Sequence, residues 1–480
     1  MRSRLPALVL AGLVLAGVAA SLGTKRQLGF LGGLTDEWVM LGANLAVHGT
    51  IGLENEPWLL RPPGYPAFVA VPLLLAGPPR VVTMDYLGRV EGLVAVAQGL
   101  ALASTAVLLF LWLGQKMRPA LAFAAAVTLA LNPLSLVLVG LLQYGTLHVL
   151  GIVAGLWALD HAAGTGVGRR RPLFVAGLAW GLVTLVRPVT LLLPPFVWLS
   201  IARRRKHPRL LEATLGAAVF TAGMALAIAP WTARNFLVSG RFIPVNLQGR
   251  ANVWGATLRV LPVDPDSYRW QALGPDILRV SSRVTGRPTY DLLTYVRLNA
   301  EFEEAYGREA LENLRRQPGV FVANGARTLR TLLLDTSTVL LPAFRVAQRP
   351  GGTIRAEWFD PGRGVDWGEP ALRAGVRALS LVLTGLAALG AWRALRDRTG
   401  WLWVTCAVAA CFLAAHAVTH MEMTYYYAKL PFLVALGFGG LASLPSRRVC
   451  ILGHGFEAAD IAGAALAIAA AFLTALLLRP

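Results

Sequence analysis

The run Leu5-Pro6-Ala7-Leu8-Val9-Leu10-Ala11-Gly12-Leu13-Val14-Leu15-Ala16-Gly17-Val18-Ala19-Ala20-Ser21-Leu22 carries no charge, and a glycine-rich stretch then leads to Thr35-Asp36-Glu37-Trp38. A helix of about 20 apolar residues spans the ~30 Å hydrocarbon core of a bilayer. An acidic pair just behind such a helix has to be solvated, paired or used, because burying a carboxylate in lipid costs several kcal/mol. The pair therefore belongs to a polar loop held against a membrane surface. Arg61-Pro62-Pro63-Gly64-Tyr65-Pro66 follows within the same loop.

The rest of the chain repeats the apolar theme. It is 55% hydrophobic over 480 residues with a mean hydropathy of +0.56, above the roughly 45–50% of soluble domains. Apolar segments are expected as helices at 5–22, 87–113, 119–137, 141–160, 173–188, 190–202, 210–231, 374–393, 400–418, 430–445 and 460–478. Arg2 and Arg4 before the first of them give it a signal-peptide look, with Val18-Ala19-Ala20 a weak cleavage site. Ten apolar segments downstream favour an uncleaved first helix instead. The net charge of +19 is not interleaved with aromatics as a nucleic-acid surface would be.

The basic residues sort by side. Lys116 and Arg118, Arg169 to Arg171, Arg203 to Lys206, Arg393 to Arg398, and Arg447 with Arg448 fall in alternate loops, while the opposite loops hold almost none. Positive loops face the cytoplasm, which sets an odd count of about eleven transmembrane helices in an all-α polytopic protein. Residues 1–231 then form an N-terminal transmembrane module with an extracytoplasmic first loop at 24–86. A mixed, mainly helical outer region covers 232–373, and 374–480 holds the C-terminal transmembrane helices. Residues 319–342 carry Asn324, Arg327, Arg330 and Asp335 and are expected as an amphipathic surface helix. Gly151-x-x-x-Gly155 and Gly177-x-x-x-Gly181 permit close helix approach.

Candidate site residues follow from what is out of place. Asp36 and Glu37 stand in an uncharged setting that gives two acids little reason to be there except chemistry. Adjacent helical residues point about 100° apart, so one works and the other supports; solvated loop charges are the bland alternative. Two prolines stiffen the backbone behind Arg61 and hold its guanidinium at headgroup level, where it suits a phosphate or merely snorkels. Arg187, before Pro188, and Arg234, within Pro230-Trp231-Thr232-Ala233-Arg234-Asn235, are cations on the depleted side and ask for anionic partners. Tyr427 and Lys429 in Tyr425-Tyr426-Tyr427-Ala428-Lys429-Leu430-Pro431 are further phosphate or sugar contacts. His416 and His420, at i and i+4 on one helix face, with the Glu422 carboxylate nearby, are weak candidates for a divalent metal. Trp254, Tyr268 and Trp270 are aromatics able to stack on a sugar.

No phosphate-binding glycine loop or nucleophile elbow is present. Taken together, the first-loop acids, the Arg before Pro-Pro, the mid-chain Arg-Pro, Pro-Trp-x-x-Arg-Asn and the late Tyr-rich segment ending in Leu-Pro resemble the membrane glycosyltransferases of the C superfold. The pattern is similar to the dolichyl-phosphate-mannose protein mannosyltransferases and the bacterial lipid A aminoarabinose transferases. The resemblance implies an enzyme of the bacterial cytoplasmic membrane with an outward-facing active site. It implies a polyprenyl-phosphate sugar donor, a lipid, glycan or protein acceptor, Asp36 as the base on the acceptor hydroxyl, and Arg61 on the lipid phosphate. Lys429 falls where relatives carry Arg. The chain departs from the pattern after Asn132-Pro133, where Gln143, Tyr144 and His148 appear and no carboxylate precedes Asp160.

Two other readings compete. A lipid-linked-sugar flippase or transporter would show repeated halves and midplane charges, of which only Glu91 is a hint. An O-antigen ligase or polymerase also works outside on lipid-linked sugars but relies on a late arginine-rich loop, whereas here the acids come first.

Overall fold

The computed structural model describes residues 4–27, 37–53, 56–77, 84–140, 142–164, 170–203, 210–258, 274–288, 292–334, 368–397, 400–419, 423–445, 448–451 and 454–477. Nearly all of this is helical. In chain order the elements are α1 (Arg4–Gln27), α2 (Glu37–His48), a hairpin β1 (Gly52–Leu53) and β2 (Glu56–Pro57), α3 (Gly64–Leu75), α4 (Met84–Leu113), α5 (Pro119–Ala130), α6 (Pro133–Val139) and α7 (Gly145–Gly164). Then come α8 (Arg170–Val186), a 3₁₀ turn (Pro188–Leu192) running into α9 (Leu193–Ala202), α10 (Leu210–Ser239) and α11 (Gly249–Ala256). The outer region continues with α12 (Gly274–Thr285), α13 (Leu292–Arg297), α14 (Asn299–Arg316) and α15 (Pro318–Leu334). The chain closes with α16 (Gly368–Asp397), α17 (Gly400–Ala417), α18 (Met423–Ala442), the hairpin β3 (Arg448–Ile451) and β4 (His454–Glu457), and α19 (Ala458–Leu477).

Seven stretches among the described residues are long and apolar enough to cross a membrane alone: Leu5–Gly23, Glu91–Leu113, Gly145–Gly164, Leu210–Ser239, Ala374–Asp397, Gly400–Ala417 and Ala458–Ala475. The other apolar helices are shorter. Glycines set the closest approaches. A Cβ on Gly177 would lie 2.0 Å from the Phe220 carbonyl oxygen, so α8 and α10 touch backbone to backbone. A Cβ on Gly155 would instead meet a side chain, the Trp180 ring 2.7 Å away, where α7 packs on α8. Both glycine pairs therefore act as their spacing suggests.

Three local readings are corrected. The expected helix 119–137 breaks at Leu131–Asn132, where the Asn132 Oδ1 accepts the Leu134 amide at 3.0 Å and starts α6. The freed Leu131 carbonyl accepts the Thr474 hydroxyl at 2.6 Å, so the break leaves no orphan. The helix expected to stop at 231 runs on through Pro230 to Ser239, which puts Arg234 on a helix rather than at the mouth of a loop. The first outer segment is also less polar than expected, because it holds α2 and the apolar α3. At about 1.5 Å per residue, α3 is roughly 18 Å long and too short to cross.

The two ends of the bundle differ in chemistry. At one end Asp160, buried, binds Lys116 Nζ at 2.8 Å and accepts from Trp112 Nε1 at 3.0 Å, and Arg118 lies 3.4 Å from both Glu457 and Asp460. The opposite end carries the outer body. Leu41, Ile51, Trp58 and Leu60 from the first outer segment share one core with Trp254, Ile277, Val280, Phe302 and Tyr306 from the second. Helix α15 docks this body to the bundle. The Asn324 amide donates to the Ala256 and Leu258 carbonyls at 2.8 and 3.0 Å, and Leu332 is buried in the bundle core. The amphipathic helix is thus wedged between the two bodies rather than lying on a surface, and residues 335–342 of that reading lie outside the described residues.

Candidate active site

Residues 59–61 and 246–248 lie side by side, with the Leu247 amide on the Leu59 carbonyl and the Asn246 side chain on the Leu60 carbonyl, both at 2.8 Å. That pairing, which joins positions nearly two hundred residues apart, carries Arg61 to Gln248. Arg61 Nη1 donates to Gln248 Oε1 at 2.7 Å, while Nε and Nη2 both engage Glu37 Oε1 at the first turn of α2. The Arg61 guanidinium also sits over the Trp38 ring, 5.1 Å from its centroid.

From Trp38 the arrangement continues sideways. Its ring meets Tyr144 edge-on at 5.1 Å, and the Arg187 guanidinium lies 4.6 Å from the Tyr144 ring centre. Two arginines are thereby spaced by an aromatic pair, each ring face attracting a cation. Arg187 precedes proline and is extended, with φ −150° and ψ 124°, as the clash with a following proline ring demands. Gly64 closes the gap, since a Cβ there would lie 2.7 Å from the Leu185 carbonyl oxygen. Only glycine lets the Arg61-Pro-Pro turn lie flush against the Arg187 turn.

Glu37 is thus paired with Arg61. Asp36, the expected base, lies outside the described residues, one position before α2. The structure gives Arg234 a structural task instead of a free anion-binding one. Its Nη2 donates to the Ile51 carbonyl at 2.9 Å and its Nη1 to the Trp58 carbonyl at 3.3 Å, with the guanidinium 4.6 Å from the Trp231 ring. The rest of the motif holds another strand: Trp231 Nε1 and Asn235 Nδ2 donate to the Val245 carbonyl at 2.8 and 3.0 Å. Pro-Trp-x-x-Arg-Asn is a clamp that grips both chain segments leading to Arg61 and Gln248.

The late cluster is internal. Tyr427 is fully buried, and a Cβ on Gly145 would lie 3.2 Å from its ring, one residue from Tyr144. Lys429, also buried, donates to the Leu332 carbonyl in the last turn of α15, a favourable end for a cation. His416 Nδ1 hydrogen-bonds the Phe412 carbonyl oxygen at 2.5 Å and its ring stacks on Phe412. His420 and Glu422 lie outside the described residues. Among the described residues no three His, Cys, Asp or Glu side chains form a group that could hold a metal ion. Trp254 is buried against Tyr306, centroids 4.6 Å apart, and is core rather than a sugar platform; Tyr268 and Trp270 lie outside the described residues. Sequence reasoning missed Trp38, Tyr144 and Gln248 as site formers. Trp38 stood beside the acids, but nothing in the sequence marks Gln248.

No family model matches the chain, and no curated protein matches it by sequence. Solved structures do. The archaeal oligosaccharyltransferase AglB from Archaeoglobus fulgidus, in complex with an inhibitory peptide and a dolichol-phosphate, superposes with a TM-score of 0.50 at 14% identity over 97% of this chain and 55% of AglB. The apo form of the Archaeoglobus fulgidus oligosaccharyltransferase gives 0.52 at 14% identity over 98% and 55%. This chain thus spans about half the length of that enzyme. ArnT from Cupriavidus metallidurans bound to undecaprenyl phosphate aligns at 18% identity over 90% of this chain and 79% of its own, with a TM-score of 0.38, too low to argue from. In fold the chain is thus similar to about half of the Archaeoglobus fulgidus oligosaccharyltransferase.

Proposed function

We propose that the protein is an integral membrane glycosyltransferase that moves a sugar from a polyprenyl-phosphate donor to an acceptor hydroxyl. The observation that carries this reading is the convergence of Glu37, Arg61 and Arg187 on one aromatic pair at the end of the bundle opposite the arginine-rich loops. Positive loops face the cytoplasm, so this end faces outward, in a bacterium from the cytoplasmic membrane.

The chemistry asks little of the protein. A sugar on a lipid phosphate already has a leaving group, so catalysis consists of deprotonating the acceptor, neutralising the departing phosphate and holding both in line. Asp36 is the base. Arg187, held against the Tyr144 ring, and Arg61, beside Glu37 and Gln248, are the cations we assign to the lipid phosphate. Arg61 adds charge and holds Glu37 at the start of α2. Direct displacement inverts the anomeric centre. AglB was seen with a dolichol-phosphate, and a lipid phosphate of that chemistry matches the donor proposed here. No step is routed through a metal; restoration of chelator-abolished turnover by a divalent ion would add one.

The test is donor consumption in nanodiscs across a panel of undecaprenyl-phosphate sugars, wild type against Asp36→Asn. Loss of one sugar's turnover in the variant is expected. Turnover indifferent to Asp36 would remove the base, and donor movement across the bilayer without transfer would favour a flippase.

A further inference from the structure

Glu303 lies in α14, far from the Glu37–Arg61 pair in sequence, and is 3% exposed. Its carboxylate turns to the start of α11, where Oε2 accepts the Arg250 amide at 2.9 Å and Oε1 the Ala251 amide at 3.2 Å. The first turn of a helix leaves its amides without intrahelical partners, and a carboxylate placed there also meets the positive end of the helix dipole. Gln248 is the residue that caps this helix, and its own side chain makes no capping bond. Glu303 does that work from another element, which leaves the Gln248 amide oxygen for Arg61 at 2.7 Å. One unbroken line therefore runs from Glu303 through the α11 N-terminus and Gln248 to Arg61 and Glu37.

We infer that Glu303 is a positioning residue for the proposed transfer, acting through the α11 N-terminus and Gln248 to hold the Arg61 guanidinium against Glu37. This rests on the reading of the site as a lipid-phosphate sugar transferase, but the mechanical part stands apart from it. The fold supplies the reason. Arg61 sits on a short loop backed by the 246–248 segment, and that segment is anchored on one side by the Pro230–Asn235 clamp and on the other by α11. If α11 shifts at its first turn, Gln248 moves with it. Gly307, one turn along α14 from Glu303, takes the Arg250 side chain so closely that a Cβ would lie 2.8 Å from Arg250 Cδ, and α14 thus grips α11 at two points. Burial pushes the Glu303 carboxyl up to about 7 in spite of the two amides and Arg250; such a group is costly to keep as pure scaffolding.

The experiment compares wild type, Glu303→Gln, Gln248→Ala and the double variant in nanodiscs, with hydrogen exchange on the peptide covering 56–63 and with donor kinetics. Gln keeps the shape of Glu but turns a donor toward one of the two amides. Expected is a rise of about tenfold in exchange at 59–61 in either single variant, with no larger rise in the double, because both act along one line. Donor KM should rise by a similar factor in each single variant and show the same non-additivity. Exchange that quickens at 249–256 but stays unchanged at 59–61 would overturn the relay. So would fully additive effects, which mean independent scaffolding. Coupled exchange in a wild type that turns over no donor would leave the relay intact and sink the transferase reading alone.

Discussion

Arg234→Met separates two roles for the same cation. As a phosphate ligand, Arg234 would affect the donor; as a clamp, it would affect the 51–58 hairpin. Its two bonds to the Ile51 and Trp58 carbonyls, at 2.9 and 3.3 Å, each count about 1.5 kcal/mol, the low end for a charged donor because the side chain is partly exposed. The stacking on Trp231 at 4.6 Å adds about 0.5 kcal/mol at such a site. The sum is roughly 3.5 kcal/mol, and since about 1.4 kcal/mol is tenfold, local opening of the hairpin should become roughly 300-fold more frequent. Hydrogen exchange of the 51–58 amides in nanodiscs measures this directly, and Met, of similar length, keeps the packing of the stem. Exchange at 51–58 that stays at the wild-type rate while donor KM rises would refute the clamp and return Arg234 to the phosphate.

Arg187→Lys keeps the charge but loses the planar fork and much of the stacking on Tyr144, so donor KM should rise about tenfold with the melting temperature little changed; an unchanged KM counts against Arg187 as a phosphate ligand. Gly177→Ala places a methyl 2.0 Å from the Phe220 carbonyl oxygen and should cost about 1–3 kcal/mol, read as a lower melting temperature, whereas Gly164→Ala, with open space around it, should not. Glu303, held up to about 7 against an ordinary 4.5, keeps its proton longer in the folded state than in the unfolded chain. Its contribution is therefore complete below about pH 4.5 and is lost as pH rises through about 7, with a ceiling of about 3 kcal/mol. Melting curves from pH 4 to 8 should show that decline in wild type and lose it in Glu303→Gln.

Much of the architecture was legible because its causes are local. Apolar length sets which segments can cross a bilayer, and the basic pair after α4 finds acids close by, Lys116 on Asp160 and Arg118 on Asp460. Glu37 and Arg61 were legible as odd charges in apolar surroundings, and those two do meet. What they meet with was not. Arg61 and Glu37 neutralise one another and Gln248 completes the guanidinium, so the second partner comes from a segment that no spacing rule connects to the first loop.

Composition and periodicity by themselves determined an all-α polytopic membrane protein, because the bilayer imposes its thickness residue by residue. Tertiary structure alone decided that Arg234 braces a hairpin, that Tyr427 and Lys429 are interior, that Trp254 is core, and that Trp38 and Tyr144 space two arginines. Those roles depend on which carbonyl or ring stands within about 3 to 5 Å of a side chain, and such a neighbour is set by the packing of distant segments. A guanidinium reads the same in sequence whether it faces a phosphate or a peptide oxygen; only the fold chooses between them.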